Sequence, residues 1–277
     1  TAAPSTSPTT SPAPWWLKGP RTASRSTGMH RAQGSTLAEE TFYGELLARL
    51  HAEDYADHAL GAATKIRDLL AGTEPRCVVD LGCGPGDLLA AFAAESSELL
   101  GVDRSPALLA YAARRAPSAR LVEASIYDAE LPERIDLLCA VGEVVQYGPD
   151  PRAGLSGLRW LCTLAGERLA AGGLLAFDLV GPGRVGATAS SHLKRELGAR
   201  TVEVEAQLNG RTLTRRITTT EAGRSETEVH HQEVVTTGEV LSELSAVGLE
   251  VLYLAGGYAD EELGEPASTI AVIARQR

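Results

Sequence analysis

The chain has 277 residues, enough for one α/β domain with an excursion, and its 36 acidic against 26 basic residues leave a net charge of −10. With no basic cluster to offset that charge, a nucleic acid is not an expected partner, and with no apolar run of the roughly 18 residues a span needs, neither is a membrane. Cys77, Cys83, Cys139 and Cys162 lack C-x-x-C spacing, so neither a zinc site nor a disulfide framework is indicated, and a reducing, cytoplasmic setting is expected.

The opening stretch TAAPSTSPTTSPAPWWLKGPRTASRSTG is rich in Pro, Ser and Thr and has no apolar signal core. Such a composition buries too little apolar surface to offset the entropy of ordering it, so residues 1–35 are expected to form a disordered tail. Trp15 and Trp16 are its one oddity: the alternatives are a bland tail and an arm that docks on the domain or a partner. Thr36 and Glu39 form a capping signature, and Phe42, Leu46, Leu47 and Leu50 follow at helical spacing. A second amphipathic helix ends at Gly72. Then come a strand (76–81), helix (86–94), strand (98–103), helix (106–115), strands (119–124 and 135–141), helix (152–170) and strand (172–179). This alternation predicts a doubly wound, mostly parallel sheet.

After Asp178 the pattern alternates residue by residue around Asn209-Gly210, a strong hairpin signal. RSETEVHHQEVV adds a third strand to a small antiparallel layer, and the closing residues read as helix, strand, strand. No internal repeat is present.

The stretch VVDLGCGPGDLL sets Gly82, Gly84 and Gly86 behind a buried strand. Glycine is required where φ is positive or where a ligand presses on the backbone, and the strand-to-helix turn of an open parallel sheet does both. The following helix N-terminus would offer free N–H groups to an anionic ligand group. The third glycine comes one position earlier than in G-x-G-x-x-G, which argues against NAD. Asp103 ends the next strand at the offset of an acid that grips ribose hydroxyls. A second reading has Asp103 serving the next helix start, with Ser105 and Pro106.

VVDLGCGPGDLL together with LLGVDRS resembles the cofactor motifs of class I S-adenosylmethionine-dependent methyltransferases, and the likeness runs from about Tyr43 to the C-terminus. It implies a seven-stranded Rossmann-like sheet over 36–180 and 237–277, with an antiparallel β lid over 181–236. It also implies S-adenosylmethionine as cofactor and a small-molecule acceptor methylated on N or O, as in secondary metabolism of the antibiotic type. Asp80, Gly82, Cys83 and Gly84 would then meet the methionine part and Asp103 the ribose. Arg104, Ser125 and Ile126 would flank the adenine, although the family commonly has an acid where Ser125 stands. Val141, at the end of the fourth strand, would border the methyl group.

FYGELL...EDYADHA is similar to the tyrosine-bearing helices of small-molecule methyltransferases, including amino-sugar N,N-dimethyltransferases, so Tyr43 and Tyr55 would cover the cofactor. The alternative is that these aromatics only pack the helix pair. His58 replaces a position often acidic in similar proteins, and FDLVGPGR resembles their strand end. Glu143, with Tyr147 a turn later, matches the neighbourhood that orients or deprotonates an amine; a Glu there could instead cap its loop or pair with Arg. His230 and His231 are adjacent on a strand, so only one faces inward, where it would act as base. No metal site or G-x-S-x-G motif appears. Two further readings keep the pocket: chemistry on bound S-adenosylmethionine without methyl transfer, and a non-catalytic cofactor-binding partner. A homodimer is one arrangement the sequence leaves open.

Overall fold

The computed structural model describes residues 43–148 and 150–277. The expected tail and the Thr36–Glu39 cap lie outside these residues. Two helices, α1 (Glu45–Asp54) and α2 (Ala56–Leu70), precede β1 (Cys77–Leu81), α3 (Asp87–Phe92), β2 (Glu98–Asp103), α4 (Pro106–Arg115) and β3 (Arg120–Glu123). The second half holds β4 (Ile135–Ala140), α5 (Leu155–Arg168) and β5 (Leu169–Val180), and the chain closes with α6 (Thr237–Ala246), β10 (Glu250–Ala255) and β11 (Thr269–Arg275). The sheet order is β10-β11-β5-β4-β1-β2-β3, with β11 antiparallel to both neighbours and the rest parallel. Seven strands, mostly parallel, stand as expected.

The period-two geometry of a strand sends alternate side chains to opposite faces, and here both faces are covered by helices. Val79, Leu81, Leu138, Leu175 and Phe177 pack with α5 and α6 through Leu158, Leu161, Val240 and Leu244. On the other face Val78, Leu137, Leu174 and Ala176 meet Ala62 and Ile66 of α2 and Leu88, Leu89 and Phe92 of α3. This explains why β1 is buried at every position.

Between β5 and α6 lies a separate antiparallel sheet of four strands: β6 (Ser190–Leu197), β7 (Arg200–Asn209), β8 (Thr212–Glu221) and β9 (Arg224–Glu233). The Asn209-Gly210 turn joins β7 to β8, with Asn209 opposite Thr212 and Gly210 at φ +60°. β6 is a strand the sequence reading left unassigned. None of its residues is buried, so an edge of mixed charge carries no alternation to read.

Helix α1 lies against this sheet. Its Leu47 and Leu50, with Tyr55, pack on Val202, Val204 and Ile217. No side chain of its own caps it. Instead the carboxylate of Glu228 accepts the amides of Tyr43 and Gly44 at 2.8 Å each, and Glu226 accepts that of Leu46 at 3.0 Å, so β9 supplies the acceptors an N-terminus needs.

Candidate active site

Strand order reverses between β4 and β1, where β2 and β3 go one way and β5 the other. A crevice opens at such a point beyond the carboxyl ends of the strands. Four ends converge there: Gly82–Gly86 after β1, Asp103 on β2, Val141–Glu143 after β4 and Asp178 on β5.

The glycine loop uses its own amides within the fold. Gly82 and Cys83 both donate their amides to the Val102 carbonyl, at 2.7 and 3.0 Å, and Gly86 donates to Cys83 O at 3.0 Å. The Gly84 amide goes to Asp103 Oδ2 at 2.9 Å. The loop amides are therefore committed within the fold, and the groups around them are acidic. Asp80 is buried, and burial, then the charges of Asp103 and Asp87, push its carboxyl well above the ordinary range. Asp87 is paired with Arg115 at 2.7 Å. A cation entering beside Asp80 and Asp103 would relieve this accumulation of carboxylates; a phosphate would add to it.

Each glycine has its own reason. A Cβ on Gly82 would lie 2.6 Å from Val144 Cγ2, and one on Gly86 would lie 2.9 Å from Ala112 Cα, whereas one on Gly84 meets nothing within 4 Å. Gly82 and Gly86 thus serve the packing of the chain on itself, and only Gly84 faces open space. Gly142, at φ +103°, also borders open space. Gly86→Ala is expected to destabilise the fold by about 2–5 kcal/mol, from overlap with backbone added to a left-handed φ. Gly84→Ala should cost only about 1–2 kcal/mol of backbone strain. Urea unfolding of the two variants checks this, and equal losses would remove the distinction.

Asp103 is buried, with Oδ1 accepting the Ser105 amide at 2.8 Å. Ser105, not Asp103, caps α4, accepting the Leu108 amide with Pro106 at the first helical position. Burial raises the Asp103 carboxyl above its ordinary range against the pull of these backbone bonds. Ser105 Oγ also donates to Tyr43 O at 2.9 Å, bringing the start of α1 to the rim of the crevice. Of the remaining residues expected here, Arg104 is exposed, Val141 and Ser125 are half-buried, Ile126 is core, and Cys83 is buried.

Glu143, at φ +62°, is pinned rather than poised. Oε1 accepts from Arg184; Oε2 accepts from Arg215 at 2.9 Å and from Gln232 at 3.0 Å. Burial alone would raise its pKa, but the two guanidiniums hold it at about 2. A carboxylate so stabilised is too weak a base to take a proton from an ammonium. Of the two readings of Glu143, pairing with arginine is the one its contacts match. Its amide donates to Asp178 Oδ1 at 2.8 Å, and His58 Nε2 meets Asp178 Oδ2 at 2.9 Å. Gln146 fastens the same loop by donating to Val180 O and Glu233 O and accepting from Val180 N.

The adjacent histidines divide as strand geometry requires. His230 faces inward at 2% exposure, while His231 is exposed on the outer face, with Nδ1 3.0 Å from Thr214 Oγ1. The expectation for His231 as a base is corrected by this placement. His230 Nε2 lies 3.0 Å from Glu228 Oε2, and its ring is 5.4 Å from that of Tyr43 and 5.6 Å from that of Tyr147. Burial lowers its pKa against the pull of the Glu228 hydrogen bond, with the Arg215 charge adding to the fall, which favours the neutral ring. Tyr147 Oη sits 3.3 Å from both Tyr43 Oη and Arg215 Nη2. Tyr55 is buried among Leu47, Leu50 and Val202, so it packs the helix against the sheet.

Sequence reasoning missed Asp178, Arg184, Arg215, Glu228 and Gln232. Arg215 and Gln232 carry a usable signal, since each sits in phase with the apolar, buried Leu213 of the alternating strands.

Residues 78–163 match a family described as a methyltransferase domain. A trans-aconitate 2-methyltransferase of Methylobacterium radiotolerans is 38% identical over 109 residues, which cover 38% of this chain and 38% of that protein. A crystal structure of an S-adenosylmethionine-dependent methyltransferase from Clostridium acetobutylicum has a TM-score of 0.68 at 16% identity, covering 82% of this chain and 96% of that one. An S-adenosylmethionine-bound amino pentose methyltransferase of Micromonospora echinaspora, involved in calicheamicin biosynthesis, has a TM-score of 0.63 at 20% identity, covering 87% and 100%. The chain thus shares the fold of these S-adenosylmethionine-dependent methyltransferases, carries a methyltransferase-domain match over residues 78–163, and spans about half or less of the length of the curated relatives it matches.

Proposed function

We propose that the chain transfers a methyl group from S-adenosylmethionine to a nitrogen or oxygen of a small molecule. The observation that carries this reading is the glycine loop, whose amides are spent internally while the buried Asp80 and Asp103 lie at the same strand ends as the open positions Gly84 and Gly142. Such a site suits a nucleoside with a positive sulfur and an ammonium group. The cofactor, when bound, supplies a methyl group on a positive sulfur, so the protein's task is to align the acceptor and exclude water.

Asp103 would accept the ribose hydroxyls and Asp80 would favour the ammonium, while Arg104, Ser125 and Ile126 would border the base, and Val141 and Tyr43 the methyl end. The antiparallel sheet over 181–236 would close over the acceptor. His230, neutral and held by Glu228, is the group suited to remove a proton from an acceptor that arrives protonated. Glu143 would act as the anchor that keeps Arg215 and Tyr147 in place.

An amino-sugar acceptor is supported by the fold shared with the amino pentose methyltransferase. A carboxylate acceptor is supported by the trans-aconitate methyltransferase match and by two guanidiniums sharing one carboxylate. The test is release of S-adenosylhomocysteine with a panel of amino sugars, their nucleotide conjugates and small polycarboxylates. Methylated product from one class is expected; a protein that binds S-adenosylmethionine yet alters no member, or consumes it without methyl transfer, would overturn the reading.

A further inference from the structure

Resting on that cofactor reading, we propose that Asp150 makes this site selective for a 6-aminopurine by acting through Ser125.

Asp103 pairs with Glu123 across β2 and β3, and the Ala124 amide donates to Asp103 O at 3.0 Å. Asp80 and Gly84 occupy the β1 side of Asp103. A nucleoside whose sugar rests on Asp103 and whose amino-acid end lies over β1 therefore projects its base toward the end of β3, where Ser125 is the next polar side chain. Serine is an ambiguous reader, since a hydroxyl both donates and accepts. Here the ambiguity is removed. Ser125 Oγ donates its proton to Asp150 Oδ2 at 3.0 Å, leaving oxygen lone pairs as its remaining capacity. One of these meets the Tyr127 amide at the long distance of 3.4 Å.

Asp150 reaches this point from the loop after β4, a different part of the chain, and is held there firmly. Its Oδ1 accepts from the Arg152 amide at 2.9 Å and Arg152 Nε at 2.8 Å, and its Oδ2 accepts from Arg152 Nη2 at 2.8 Å. Arg152 is itself fastened to Asp128 at 2.7 and 3.0 Å and lies over the Tyr127 ring at 4.8 Å. The carboxylate cannot turn away without breaking this clamp. A hydroxyl oriented this way accepts from the 6-amino group of adenine and offers lone pairs against the 6-oxo group of hypoxanthine. Asp150 is thus a positioning residue, and the sequence gives no hint of it because 25 residues separate it from Ser125.

Calorimetry with S-adenosylhomocysteine and its deaminated 6-oxo analogue, S-inosylhomocysteine, tests the proposal on the full chain without any methyl acceptor. The wild type should bind the 6-amino compound at least about 10-fold more tightly. Asp150→Asn can offer an N–H to Ser125 Oγ and release its proton, so the preference should shrink to about 3-fold or less. Ser125→Ala should lose the preference as well, and the Ser125→Ala/Asp150→Asn pair should match Ser125→Ala alone, which separates action through Ser125 from a general loosening. Equal binding of the two compounds by the wild type, or an unchanged ratio in Asp150→Asn, overturns this proposal alone. Binding of neither compound removes the cofactor reading and this proposal with it.

Discussion

Asp103→Asn should weaken S-adenosylmethionine binding by about 100-fold or more, a loss of about 2.8 kcal/mol at tenfold per 1.4 kcal/mol. The carboxylate accepts from Gly84 and Ser105 in the free protein, and the proposed ribose hydroxyls would use its remaining lone pairs. An amide in its place has one accepting atom and turns an NH2 toward a donor, so one backbone N–H loses its partner at about 1–3 kcal/mol and the ribose loses a charge-assisted bond. The same residue sets a pH dependence. Its pKa is raised by burial, so it takes up a proton at a higher pH than an ordinary Asp, and affinity should fall on mild acidification. The Asn variant should bind weakly with no such acidic decline. Calorimetry across pH checks both, and an Asp103→Asn protein that binds within threefold of wild type would sink the ribose assignment.

Glu143→Ala should lower stability by about 3–5 kcal/mol, on the order of 10 °C in midpoint for a chain of this size. Arg184 and Arg215 are both buried, and removal of Glu143 deletes the carboxylate that the two guanidiniums share. Glu143→Gln should lose nearly as much, since it fits the space but not the charge. The pH dependence has a definite sign. A carboxylate held at about 2 contributes stability that is fully present above its unfolded value near 4.3, and that contribution is lost as pH falls through about 2. Wild type should therefore weaken across this window, whereas Glu143→Gln should start lower and slope less. Chemical denaturation at pH 5 and pH 3 provides the comparison. A variant that stays within 1 kcal/mol of wild type would show the guanidiniums are not held by this residue.

The central sheet was legible because parallel strands buried on both faces are written as short apolar runs, and β1 is the clearest of them. Asp103 was legible because its place depends on local order along the chain, a strand end a fixed distance after a glycine turn. The acceptor side was harder. Glu143 could be located but not assigned, since its partners Arg184 and Arg215 lie 41 and 72 residues away and one sequence does not reveal such pairings. The same holds for the glycine loop, whose amides turn toward Val102 and Asp103. Backbone donors have no residue code, so their destinations appear only once the neighbouring strand is in place.

The acceptors that finish the first turn of α1 come from residues 180 and more positions later in the chain. On a ribosome adding roughly 5–20 residues per second, that helix emerges about ten seconds or more before Glu226 and Glu228 exist. Its opening turn therefore lacks those acceptors until β9 has been synthesised. The first of the described helices is thus finished only once the last strand of the second sheet has followed it off the ribosome.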